Sequence, residues 1–160
     1  MAKPISKNIY QLPFGKVAKP IPEPAPFHKE NKWLKYSLDF SMPEGTRILA
    51  AAEGTVYLVV DRYTKGGSAK SLASLTNRVI IKHDNDEYTD YVHLKKGCNV
   101  KKGEKIKQGK IIGYSGSTGY TTYPHLHFSV MKPANDGSWK TVIPRFEIDD
   151  RIITLESPKD

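Results

Sequence analysis

No stretch of this 160-residue sequence repeats apolar residues at helical spacing beside recognisable helix caps. What recurs is shorter. β-rich runs at 36–40, 47–51, 54–61, 78–83, 87–94 and 125–131 are punctuated by Gly, Pro, Asn and Asp. Asp84-Asn85-Asp86 falls between two of these runs and reads as a hairpin turn. Short strands with regular turns predict an all-β domain. The length suits one domain with a substantial core.

The first 27 residues are different. Pro4, Pro13, Pro20, Pro22, Pro24 and Pro26 fix φ and remove backbone donors, so this segment reads as an extended arm without regular elements. Its apolar stretch 9–14 is expected to anchor it to the domain. Downstream, Trp33 or Leu34 is expected to be buried, 63–76 to be a mobile loop, and 141–146 and 151–154 to be short edge pieces. The opening residues lack the apolar centre of a signal peptide. The chain therefore reads as cytosolic or as a mature fragment behind a start Met. No apolar run approaches membrane-spanning length.

The net charge is +8, and Lys95, Lys96, Lys101, Lys102, Lys105, Lys107 and Lys110 supply much of it in one span. Such a span attracts an anionic partner, or keeps a sheet edge solvated. Nucleic acid is disfavoured because no reading motif accompanies the lysines. Cys98 is the only cysteine, which excludes an internal disulfide, and it reads as a packing residue.

The chemistry concentrates in the histidines. His125 and His127 fall on one face of a strand, with Leu126 on the other. Two such imidazoles can share a metal, or one can bind it while the other handles protons; the pair also arises by chance on solvated strands. By the same alternation Tyr91 and His93 share a face. Asp39 lies between Leu38 and Phe40, where an unpaired charge is costly. A zinc ion held by two His and one Asp would satisfy it and leave a position for water. His83, beside the hairpin turn, reads as structural. Tyr120 and Tyr123 flank the Gly/Ser/Thr loop before His125 and suit a substrate groove or packing.

Several motifs occur in a telling order: Asp39-Phe40-Ser41-Met42-Pro43-Glu44-Gly45-Thr46, Ala51-Ala52-Glu53-Gly54-Thr55-Val56, Asn77-Arg78-Val79-Ile80-Ile81-Lys82-His83, Tyr91-Val92-His93-Leu94, Val100-Lys101-Lys102-Gly103, Gly113-Tyr114-Ser115-Gly116-Ser117-Thr118-Gly119 and Pro124-His125-Leu126-His127-Phe128. Together they resemble the LytM/lysostaphin-type zinc metalloendopeptidases over roughly residues 28–131. The resemblance implies an antiparallel β-sheet fold, duplicated-hybrid-like, over residues 28–160 behind the arm 1–27. It implies one zinc per chain and cleavage of peptide cross-links in bacterial peptidoglycan. Tyr91, Tyr120 and Tyr123 are the expected substrate contacts. The resemblance also implies a place in the cell envelope, periplasmic or secreted, with the signal segment not present in this chain. Carried over by position, Asp39 and His127 are metal ligands, and His93 and His125 are the catalytic pair. An anionic wall polymer is the implied partner of the lysines.

One position departs from the family pattern. The commoner spacing puts a ligand at residue 35, which is Lys35 here, and an ammonium cannot ligate zinc. Tyr36-Ser37-Leu38-Asp39-Phe40 resembles a branch whose first zinc His lies upstream in a loop, which assigns His28 as the third ligand. The alternative is a degenerate domain of this type that binds peptidoglycan or activates another wall hydrolase. The run 100–113 also resembles part of a biotinyl/lipoyl carrier barrel, but it lacks the modified-lysine hairpin tip.

Overall fold

Alternation in the sequence becomes alternation between the two faces of one curled sheet in the computed structural model. The structure describes every residue except Val17, inside the expected arm, and the terminal Asp160. In chain order the strands are β1 (Ile5–Tyr10), β2 (Leu38–Ser41), β3 (Arg47–Leu49), β4 (Gly54–Val60), β5 (Gly66–Gly67), β6 (Arg78–Lys82), β7 (Tyr88–Val92), β8 (Lys105–Ile106), β9 (Ile111–Tyr114), β10 (Gly119–Tyr120), β11 (His125–Pro133), β12 (Trp139–Ile148) and β13 (Arg151–Thr154). Helical structure among the described residues is confined to short 3-10 turns at Pro26–Glu30, Lys70–Leu75 and Asp84–Asp86. None is long and apolar enough to cross a membrane.

The main sheet runs β1-β12-β11-β7-β6-β4-β8, with β13 added to β12 and β2 added to β11. Two small ladders, β3-β9 and β5-β10, lie beside it. The fold is all-β and its pairings are mostly antiparallel, as expected; β1-β12 and β5-β10 add two parallel pairings. On β11, Leu126, Phe128 and Val130 are fully buried in the core. They meet Leu38 and Phe40 of β2, Val79 and Ile81 of β6, and Ile48 and Ile112 of the β3-β9 ladder. Each such side chain contributes roughly 1.5–3 kcal/mol through burial.

The arm departs from expectation. Residues 5–10 form a full strand in the main sheet, and Tyr10 and Phe14 are core residues. The prolines do not prevent this, because none falls inside β1. The lock is electrostatic as well as apolar. Fully buried Glu87 accepts hydrogen bonds from Lys7 N (2.7 Å), Asn8 N (3.0 Å) and the Tyr10 hydroxyl (3.0 Å). Asn8 Nδ2 donates to the carbonyl of Asp84 at 2.8 Å, tying β1 to the hairpin turn.

Three smaller expectations also change. The run around 141–146 is not an edge: β12 is ten residues long and lies between β1 and β11. The segment 63–76 holds β5 and a 3-10 turn. Trp33 is half exposed and Leu34 is only partly buried. His83 is structural, as expected, with Nδ1 donating to the Glu53 carbonyl at 2.6 Å and Nε2 2.7 Å from Thr89 Oγ1.

Because β1 is part of the core, Tyr10→Ala should cost about 3–5 kcal/mol of folding free energy by urea denaturation. Ile9→Ala, on the exposed side of the same strand, should cost less than about 1 kcal/mol.

Candidate metal centre and active site

Strand β11 collects the site. Along its first half β2 pairs with it so that His127 faces Asp39, Leu126 faces Phe40 and His125 faces Ser41. With Leu126 and Phe40 turned into the core, His125, His127 and Asp39 must emerge on the opposite face. His127 Nδ1 lies 2.9 Å from Asp39 Oδ1, and His125 Nε2 lies 3.6 Å from the same oxygen.

His28 arrives from the 3-10 turn Pro26–Glu30. The chain is led there by a two-residue bridge in which Glu23 N donates to the Asp39 carbonyl at 2.7 Å. His28 N then donates to the Ala25 carbonyl, closing the turn. Phe27 points to solvent while His28 turns inward and is buried. Its Nε2 stands 3.4 Å from Asp39 Oδ2. One ligand atom from each of His28, Asp39 and His127 lies within 4.8 Å of the other two, and all three residues are buried. Lys35 is exposed, with its ammonium over the Tyr36 ring and away from this cluster.

His93 reaches the site by breaking the strand rule. Its φ is +68°, in the left-handed region that non-glycine residues seldom adopt. Strict alternation would place His93 with Tyr91. Instead Tyr91 is completely buried on the core side, its ring 5.4 Å from Phe128 and its hydroxyl accepting from Ala51 N at 2.9 Å. Tyr91 is therefore a packing residue, and the expectation that it contacts substrate is corrected. The His93 ring centroid is 4.7 Å from that of His125 and 6.1 Å from that of His127. Such backbone strain costs roughly 1–3 kcal/mol, and the surrounding packing must hold it.

The model of Peptidase family M23 matches residues 34–140. This chain belongs to peptidase family M23. Among curated proteins it is 40% identical over 96 residues to glycyl-glycine endopeptidase ALE-1 of Staphylococcus capitis, covering 60% of this chain and 24% of that protein. It is 38% identical over 100 residues to the peptidoglycan DD-endopeptidase ShyA of Vibrio cholerae, covering 61% of this chain and 21% of that protein. The chain thus spans about a quarter or less of the length of these relatives. Among solved structures it resembles a catalytic-domain variant of the prophage-encoded M23 protein EnpA from Enterococcus faecalis, with TM-score 0.57 and 26% identity over 82% of this chain and 92% of that one. The catalytic domain of lysostaphin from Staphylococcus simulans matches with TM-score 0.50 and 30% identity over 77% of this chain and 86% of that one.

In this M23 chain three imidazoles of the site are oriented by backbone carbonyls. His28 Nδ1 donates to Ser37 O at 3.3 Å, His93 Nδ1 to Thr118 O at 2.6 Å, and His125 Nδ1 to Tyr123 O at 2.9 Å. Each ring then carries its proton on Nδ1 and leaves an Nε2 lone pair for a metal or a proton. Sequence reading missed these anchors, because a carbonyl has no letter of its own. The Gly/Ser/Thr loop is the only trace of them. Within it, Gly119 has φ +86°, and a Cβ there would lie 1.9 Å from Thr76 Oγ1, so only glycine fits.

The two remaining tyrosines differ. Tyr123 stacks on His125 with centroids 4.4 Å apart and lines a cavity of about 750 Å³ with Ile21, Glu23, Ser41 and Met42. Burial and the nearby Asp39 push its phenol up to about 12. Tyr120 on β10 is exposed on the loop. A second cavity, about 500 Å³, opens on the His93 side of the site, lined by Glu44, Lys95, Lys96 and Thr118. Of the other lysines, Lys110 is engaged by Glu104 at 2.7 Å.

The charges are matched to burial. Burial alone would raise the Asp39 carboxyl, but the His127 hydrogen bond and the three imidazoles around it bring it down to about 2. Burial lowers His28 and His125, and lowers His93 to about 3 with help from the adjoining His127 and His125. Burial likewise lowers His83. These rings fold neutral. An unfolded His takes up a proton below about pH 6.5, whereas the folded ring does not until its lowered pKa is reached. The unfolded state therefore binds more protons in that window, and stability rises with pH. Metal-free protein should lose folding free energy, by urea melts, as pH falls from about 7.5 to about 5. His93→Asn should flatten that slope by up to one proton. The Asp39 contribution is constant in this range, because it is lost only as pH falls towards about 2.

Proposed function

We propose that this chain is a zinc-dependent endopeptidase that hydrolyses peptide cross-links or stem peptides of bacterial peptidoglycan. The observation that carries the reading is the convergence of His28, Asp39 and His127, buried and within 4.8 Å of one another, beside two further imidazoles whose Nδ1 protons are held by backbone carbonyls. Two nitrogens and a carboxylate oxygen form a donor set that suits zinc and leaves a position open. The donors present fit the ion: Asp39 is ionised, and the carbonyl on His28 Nδ1 leaves its Nε2 as the ligand atom. Relatives whose names specify glycyl-glycine and DD-endopeptidases support peptidoglycan peptides as the substrate class.

Zinc bound by these residues supplies Lewis acidity, which acidifies water and polarises a carbonyl. The chain does the rest. The Nε2 atoms of His93 and His125 are proton acceptors held by Thr118 O and Tyr123 O, and they flank the same space. One takes a proton from the attacking water. The other, once protonated, steadies the oxyanion or hands a proton to the leaving amine. Tyr123 and Tyr120 border the groove that receives the peptide. Exposed lysines of the 95–107 span draw the enzyme to anionic wall polymer, and a cell-envelope location, periplasmic or secreted, follows from that substrate.

The second reading is a degenerate M23 domain that binds peptidoglycan or activates another hydrolase, and Lys35 is what favours it. Zinc content separates the two. Purified protein should hold close to one zinc per chain, and His28→Ala and Asp39→Ala should each lose it; absence of zinc in the parent protein sinks the enzymatic reading. His125→Ala should keep zinc and fold while its release of peptides from purified peptidoglycan falls by about 10²-fold or more. Undiminished hydrolysis in that variant would overturn the mechanism.

A further inference from the structure

The site face of the sheet continues past the histidines. Along β11 the outward residues are His125, His127, Ser129 and Met131, and along β7 their neighbours are Val92, Asp90 and Tyr88. Next to the site this face is polar: Arg78 pairs bidentately with buried Asp90 at 3.2 and 2.8 Å. Beyond that pair it turns aromatic. Tyr88, Met131 and Ile80 form a small cluster apart from the main core, with Leu58 and Trp139 packed against it. Tyr57 completes it, 5.2 Å from Tyr88 and 6.2 Å from Trp139 between ring centroids.

Tyr57 occupies this position because of a backbone irregularity. The β4-β6 register jumps from Val56↔Ile81 to Leu58↔Ile80, leaving Tyr57 without a partner. Such a bulge re-aims a side chain. Val56 stays in the core, while Tyr57 and Leu58 both reach the outer cluster. Tyr57 is 45% exposed there, and the Lys82 ammonium stands 5.9 Å above the Tyr88 ring. A large aromatic face on solvent, backed by packed aromatics and flanked by an ammonium, suits a ring-shaped ligand with an apolar face and polar rim.

Distance narrows the ligand. Tyr57 lies on β4 beside the cross-strand row of Leu58, Ile80, Asp90 and Ser129, so it stands three strand spacings (~14 Å) across the sheet and about two residues (~7 Å) along it from His127, roughly 16 Å in all. An extended peptide covers that span in about five residues. In peptidoglycan, a stem peptide of about that length joins the cross-link to a strand of N-acetylated sugars. We propose that Tyr57, with Tyr88 and Trp139 behind it, is a sugar-binding platform that holds the glycan strand while the stem peptide lies across Arg78, half-exposed over buried Asp90, to the histidines. Pyranose C–H groups stack on the Tyr57 ring, acetamido methyls meet the partly exposed Leu58, and Lys82 donates to sugar or lactyl oxygens. The inference rests on the peptidoglycan reading above.

The test separates the two. His125→Ala protein is mixed with insoluble peptidoglycan glycan stripped of its stem peptides, and bound protein is measured by sedimentation, which needs no turnover. Binding should weaken about tenfold when Tyr57→Ala is added and should survive Tyr57→Trp, which keeps a stacking face. In the otherwise wild-type protein, Tyr57→Ala should slow release of peptides from intact peptidoglycan and leave cleavage of sugar-free cross-linked peptides unchanged. Glycan binding that ignores Tyr57→Ala overturns the platform, whatever the hydrolytic result. So does an equal loss on both substrates, or self-association through this patch in place of glycan binding. Tyr57-dependent glycan binding by a parent protein that cleaves neither substrate upholds the platform and refutes the hydrolase.

Discussion

Everything at the site answers to one buried carboxylate. Asp39 is flanked on its own strand by two fully buried apolar residues, Leu38 and Phe40, and is itself 7% exposed. An isolated charge there would be neutralised or would destabilise the fold by several kcal/mol. The chain surrounds it with His127, His28 and His125 at 2.9, 3.4 and 3.6 Å. All three are buried, and burial makes His28 and His125 favour the neutral form, so those two offer lone pairs more than full positive charge. A buried anion facing imidazole nitrogens is a place where a divalent cation gains more than a proton does.

That requirement explains why β11 is the centre of the fold. One edge of β11 carries β2 and then β12, and its other edge carries β7. Ser37 and Ser129 hydroxyls meet at 2.6 Å where β2 gives way to β12. Every element that delivers a site residue therefore touches β11 directly or is one hydrogen-bonded step away. Leu126 and Phe128 anchor the strand in the core, and the same alternation that buries them exposes the imidazoles to the groove. Stability and site geometry are two faces of one strand.

What was legible in the sequence was periodic or paired. Asp39 between Leu38 and Phe40, and His125 and His127 about Leu126, obey the two-residue rule, so the face each occupies could be read directly. The hairpin about 84–86 was readable because turn residues bound it. Where local backbone broke the period, the reading failed. Tyr91 and His93 are two residues apart, yet the positive φ of His93 sends them to opposite sides of the sheet. The strand at Ile5–Tyr10 was hidden by the prolines around it, since its main support is a parallel pairing with β12 and a distant Glu87. The long span of β12 was obscured by Pro144 within it. Contacts that join residues over a hundred positions apart leave no local mark.

On the zinc reading proposed above, the carbonyl anchors give a reason why the site can tolerate a ligand moved into a loop. Ser37, Thr118 and Tyr123 orient imidazoles through main-chain oxygen, which any residue would provide. What must be held is the path of the backbone, and that is set by fewer residues. Gly119 permits the turn that presents Thr118 O, and Thr118 Oγ1 is itself fixed between Leu94 O and Asn77 N. The bridge from Glu23 to Asp39 does the same for the turn bearing His28. An imidazole from a loop can then stand where a strand residue would otherwise be needed, because the site depends on where Nε2 arrives and not on the spacing of the letters. Lys35 is free to face solvent for the same reason.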